Sequence, residues 1–181
     1  HGVHRRQRQM CIRDRFRSDH PVSIAVNTVD ESMSGSQSME VMIDTKQFNG
    51  MHSPSVLKAV DSLQTYLEET YPEKIGRTFS LANIVKETLN IINDSDDAYK
   101  IPDDAREISQ LLFLFNSADP SERRSLVSDD YSRSHITVNA KNMGSFEYKE
   151  LFNDVELQIQ KIFANSKSEF PKLEVNLTGS I

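Results

Sequence analysis

Residues 38–114 set the tightest limit on what this chain can fold into (SMEVMIDTKQFNGMHSPSVLKAVDSLQTYLEETYPEKIGRTFSLANIVKETLNIINDSDDAYKIPDDAREISQLLFL). Met39, Val41 and Ile43 alternate with Glu40, Met42 and Asp44. A period of two places one set on each face of a strand. A turn around Asn49-Gly50 follows, and Ser53-Pro54 then has the order of a helix start, with a capping side chain before a proline at the first helical position. Val56, Leu57, Val60, Leu63 and Leu67 recur at helical spacing. Tyr71-Pro72 stops that helix, and residues 74–79 read as a short strand. The segment therefore forces strand, helix and strand in that order, with each element apolar on one side only.

Two further helices are expected next. Ser80 caps the first, with Leu81, Ile84, Val85, Leu89 and Ile92 as its buried stripe. Residues 93–100 (NDSDDAYK) read as a solvated acidic loop. Pro102-Asp103 opens the second, with Ile108, Leu111, Leu112 and Phe115 inward. Residues 111–115 are apolar on all sides, which implies burial on several sides or a partner surface. Residues 117–131 read as a loop or irregular helix around Pro120.

Alternation returns at residues 134–140, where Ile136, Val138 and Ala140 oppose His135, Thr137 and Asn139. Ser145 is expected to cap a long helix whose apolar face holds Leu151, Phe152, Val155, Ile159, Ile162 and Phe163. Leu173, Val175 and Leu177 mark the last strand. One more strand is expected at residues 22–29, from the alternation of Val22, Ile24 and Val26 with Ser23, Ala25 and Asn27.

Without the two inserted helices, the core order is β-α-β-β-α-β. The expected fold class is α/β of the α+β kind: a ferredoxin-like sandwich with an antiparallel four-stranded sheet, two helices on one face and an inserted helical pair. Residues 16–181 form one domain in this reading, with the core at 38–79 and 133–178 and the insertion at 80–131. Residues 1–15 (HGVHRRQRQMCIRDR) lack apolar periodicity and are set aside as a non-native tail, and Cys11 with them.

Charge and chemistry narrow the function. Residues 1–19 hold six Arg and two Asp, a balance of +4, so the rest of the chain carries −10 of the overall −6. An acidic body lacks the basic face that nucleic acid requires. Cys11 is the only cysteine, which excludes an internal disulfide framework and a cysteine-based zinc site. No apolar run approaches the roughly 18–20 residues of a membrane span. No phosphate-binding glycine loop, zinc-protease or nucleophile-elbow pattern occurs.

Of the five histidines, His1 and His4 lie in the tail, His20 and His52 lie in turn regions, and His135 lies on the polar face of a strand. Asp94, Asp96 and Asp97 lack the glycine and closing glutamate of a calcium loop. Asp103 and Asp104 suit a helix N-terminus. Asp129 and Asp130 are placed to pair with Arg123 or Arg124. The acceptor-like tripeptides at Asn93 and Asn176 carry no weight. We therefore assign no catalytic, cofactor-binding or metal residues, and expect no enzyme activity and no cofactor.

Seven ordered segments carry a resemblance: residues 21–28 (PVSIAVNT), 39–50 (MEVMIDTKQFNG), 54–67 (PSVLKAVDSLQTYL), 76–89 (GRTFSLANIVKETL), 99–115 (YKIPDDAREISQLLFLF), 126–138 (LVSDDYSRSHITV) and 175–181 (VNLTGSI). From Phe16 on, the chain resembles the first large extracytoplasmic loop of resistance-nodulation-division (RND) transporters, in their MMPL-like branch. The resemblance implies a porter domain of ferredoxin-like type on the periplasmic side of the bacterial inner membrane. It implies a transmembrane helix before the equivalent of Phe16 and another after that of Ile181. It further implies proton-driven export of lipids or hydrophobic compounds, with the proton-coupling residues in transmembrane helices outside this chain. The implied partners are those helices, a second porter domain and a hydrophobic or lipid substrate, with no nucleic acid. On that reading, Leu112, Phe113 and Phe115 line a hydrophobic route, meet the second porter domain, or simply form the core of the inserted lobe. Two other classes remain: a free-standing ferredoxin-like ligand-binding or regulatory module, and an enzyme on the same scaffold.

Overall fold

The computed structural model describes residues 21, 22, 24, 25, 37–141 and 144–179. Four strands form one sheet: β1 (Gln37–Asp44), β2 (Ile75–Phe79), β3 (Arg133–Ala140) and β4 (Glu174–Gly179). Their spatial order is β2-β3-β1-β4, and every adjacent pair is antiparallel. The register lines up the apolar positions. Val41 lies between Ile136 and Leu177, and Ile43 lies between Ser134 and Val175. Each row presents side chains to the same side of the sheet, as the pleat requires.

Helix α1 (Pro54–Thr70) connects β1 to β2, and α5 (Ser145–Ile162) with the short α6 (Ala164–Glu169) connects β3 to β4. Val56, Leu57, Val60, Leu63 and Leu67 are buried on α1, as are Leu151, Val155 and Ile159 on α5. Burying each such aliphatic side chain contributes about 1.5–3 kcal/mol. Tyr66 and Tyr71 donate phenol hydrogen bonds to Asp154 Oδ2 at 2.7 and 2.5 Å, tying α1 to α5. The fold is thus α+β with the β-α-β-β-α-β order read from the sequence.

Three α-helices, rather than two, lie between β2 and β3: α2 (Leu81–Asn93), α3 (Ala105–Ala118) and the short α4 (Pro120–Leu126). Asp119 starts α4 by accepting from the backbone N–H groups of Ser121 and Glu122 ahead of Pro120. The irregular stretch expected there is a capped helix.

Four local expectations need correction. Residues 21, 22, 24 and 25 are helical, not extended. Val22 and Ala25 are buried whereas Ile24 is exposed, a spacing of three that the apparent alternation concealed. The remainder of residues 22–29 lies outside the described residues. Ile92 is exposed at the end of α2. Ser53 occupies the cap position of α1, but its hydroxyl donates to the Glu169 carboxylate at 2.9 Å instead of capping. Gly144, not Ser145, is the cap residue of α5.

The turn after β1 is specified closely. Lys46 and Asn49 have φ of 57° and 58°, in the left-handed region. A Cβ on Gly50 would fall 2.0 Å from Thr45 Oγ1, so only glycine fits. Thr45 Oγ1 donates to the Ser132 carbonyl at 2.8 Å, and the Asn49 and Met51 amides donate to the carbonyls of Asp130 and Tyr131. This seam binds the end of β1 to the return from the inserted helices.

Candidate functional site

A buried polar network fastens the inserted helices to the core. Gln64 on α1 is 4% exposed. Its Nε2 donates to Thr78 Oγ1 (3.1 Å) and Asn83 Oδ1 (2.7 Å), and its Oε1 accepts from Ser80 Oγ (2.7 Å). Thr78 donates through both its amide and its hydroxyl to Glu68 Oε1. Ser80 and Asn83 form a capping box at the start of α2. The cap read from the sequence at Ser80 is therefore one arm of a junction joining α1, β2 and α2. A buried network satisfied in this way holds its elements in one arrangement.

His52 sits at a second junction. Its Nδ1 is 2.9 Å from Ser109 Oγ on α3, and its ring meets Tyr131 edge-on with centroids 4.7 Å apart. Its Nε2 is buried with no hydrogen-bond partner among the described residues. Burial pushes its pKa below the ordinary histidine value. The buried Arg123 guanidinium lies 5.6 Å from the Tyr131 ring centroid and bonds Asn116 Oδ1 and Asp129 Oδ1. Asp129 thus takes the arginine pairing expected of it, with Arg124 Nε also at 3.4 Å. Asp130 instead accepts from the Ser128 and Ser132 hydroxyls and the Ser132 amide, which hold its carboxyl down at about 2.

The remaining sequence candidates are scattered. His135 lies on the sheet face opposite α1 and α5, in register with Met42. Asp94, Asp96 and Asp97 are exposed, and so are Asn93 and Asn176. Asp103 pairs with Lys58, while Asp104 caps α3 by accepting from the Arg106 amide. His1, His4, His20 and Cys11 lie outside the described residues. No cluster of three or more His, Cys, Asp or Glu among the described residues has the geometry of a metal site. No helix among them is long and apolar enough to cross a membrane.

The apolar run on α3 divides into two faces. Leu112 and Phe115 are buried in the core, whereas Phe113 is 69% exposed and Leu114 is 38% exposed. Ser109, Gln110, Phe113 and Leu114 line a shallow apolar depression of about 400 Å³. Comparison with family models, curated proteins and solved structures gave no match.

Proposed function

We infer that this chain is the extracytoplasmic porter-domain part of a proton-driven exporter of lipids or hydrophobic compounds, of the RND type and its MMPL-like branch. The observation that carries this reading is the sheet order β2-β3-β1-β4 with a helical lobe set between β2 and β3. A ferredoxin-like porter domain is what the sequence resemblance implies. A mechanical part is in keeping with the polar networks at Gln64 and Arg123, which hold elements of the fold together.

In this reading the domain acts by moving as a rigid lobe against its neighbours. Domain closure of that kind slides packed surfaces past one another without remaking their interiors. The Phe113–Leu114 side of α3 is the surface offered to the second porter domain, because the same helix already buries Leu112 and Phe115 inward. In this reading proton coupling belongs to transmembrane helices outside this chain, and the domain itself stands on the periplasmic side of the inner membrane.

The test is transport by the parent protein in inverted inner-membrane vesicles. Export of a fluorescent hydrophobe should require both the parent gene and a proton gradient, and should stop on adding an uncoupler. Transport that persists without the gradient, or without the gene, would refute the assignment. A free-standing ligand-binding or regulatory module is the second reading, and the sheet face left uncovered by α1 and α5 favours it, since it offers a surface for a ligand.

A further inference from the structure

Among the described residues, the open face of the sheet is mostly polar, with Met42 and Phe79 as apolar exceptions. Met42 is 39% exposed there, beside His135 and Arg133 of β3. Val127 forms a β-bridge with Ser134, so the C-terminal end of α4 lies along β3 where β2 has ended. Ser134 Oγ donates to the Leu126 carbonyl at 2.8 Å and fixes that contact. Between α4 and the sheet lies a cleft of about 170 Å³, lined by Met42, Arg124, Leu126, Val127, Arg133 and His135 among others.

The charge in this cleft is neutralised only in part: Arg124 shares Asp129 with Arg123, whereas Arg133 has no ion pair among the described residues. Asp44, in register with Arg133, is held by Lys46 at 3.0 Å. Asp129 accepts from Arg123 at 2.7 Å and reaches Arg124 only at 3.4 Å. Asp130 is occupied by the hydroxyls of Ser128 and Ser132. No carboxylate among the described residues forms an ion pair with Arg133. Arg133, unpaired, and Arg124, which Asp129 engages through Nε alone, thus line the cleft together with Met42, Leu126 and Val127, in a chain of net charge −6.

We propose that this cleft binds the carboxylate of a short aliphatic acid. Arg133 and Arg124 present planar donor pairs that match a carboxylate. Met42 supplies a polarisable, adaptable surface for the first methylenes. The small volume limits the ligand to a short chain. This inference does not depend on the transport reading.

The test uses the full chain, isotope-labelled for amide NMR, titrated with hexanoate, hexanol and inorganic phosphate. Hexanoate should give saturable shifts at residues 42, 126–128 and 133–135. Hexanol, which lacks the charge, and phosphate, which lacks the alkyl chain, should bind roughly tenfold more weakly or worse. Arg133→Gln and Arg124→Gln should each weaken hexanoate roughly tenfold while leaving distant resonances in place. Absence of saturable shifts, phosphate binding as tightly as hexanoate, or unchanged affinity in Arg133→Gln would each overturn the proposal.

Discussion

Ser80 donates its hydroxyl hydrogen bond to the Gln64 carboxamide at 2.7 Å, and this bond links the first core helix to the first turn of the inserted helices. Both residues are buried. Replacing Gln64 with Leu would leave the Ser80 hydroxyl without its acceptor inside the protein, while Asn83 Oδ1 keeps the Ser80 amide at 2.9 Å. Stranding buried polar groups costs about 1–3 kcal/mol each. We predict that Gln64→Leu lowers unfolding stability by about 1–3 kcal/mol on that basis, measured by urea denaturation. The m-value should stay unchanged, because the surface exposed on unfolding is the same.

Gly50→Ala should destabilise through sterics alone. The new Cβ would sit 2.0 Å from Thr45 Oγ1 and 2.5 Å from Thr45 Cβ. Thr45 is itself anchored to Ser132 and fully buried, so relief requires moving the seam between β1 and β3. Forced overpacking costs about 1–3 kcal/mol. Thermal unfolding of the single variant and of Gly50→Ala/Thr45→Ser checks the cause, since the second change removes Thr45 Cγ2, itself 2.8 Å from the new carbon, and should recover part of the loss.

Phe113 and Phe115 stand two positions apart with opposite roles. Phe115 is fully buried, and Phe115→Ala should cost about 3–5 kcal/mol. Phe113→Ser should change stability by no more than about 0.5 kcal/mol, because the side chain is 69% exposed. Denaturation of the pair measures both. On the proposed transporter reading, Phe113→Ser in the parent protein should reduce export while leaving the domain folded.

Two groups make stability depend on pH in separate windows. His52 has a folded-state pKa below 6.5 because burial disfavours the imidazolium. The unfolded chain then takes up its proton first, so this contribution is full above 6.5 and is lost as pH falls toward the folded-state value. Asp130 is depressed from 3.8 to about 2, chiefly by the Ser128 and Ser132 hydroxyls. Its contribution is present above 3.8 and is lost as pH falls through about 2. Denaturation midpoints across pH should therefore flatten near pH 6 in His52→Leu, and in the acid limb in Asp130→Asn.

The sheet and its two covering helices were legible because their signals are local and repeated. Met39, Val41 and Ile43 declare a strand by alternation, and Val56 to Leu67 declare a helix by spacing. Some of the errors arise from contacts remote in sequence, others from locally ambiguous patterns. Ser53 gives its hydroxyl to Glu169, a residue 116 positions away, so its local capping pattern misleads. At residues 22–25, a short apolar run satisfies both periods, and only burial of Val22 with Ala25 decides for helix. The Met42, Arg124 and Arg133 cleft joins three elements that sequence spacing does not connect. His52 looked like a turn histidine, and its contacts with Ser109 and Tyr131 exist only once the inserted helices return to the core.

The most direct test of the transporter assignment is the coding sequence on both sides of this chain in its source genome. The account predicts a continuous reading frame with an apolar segment of about 20 residues just before Phe16 and another just after Ile181. A polar upstream sequence and a stop codon directly after Ile181 would contradict it, and the chain would then be a free-standing α+β binding module.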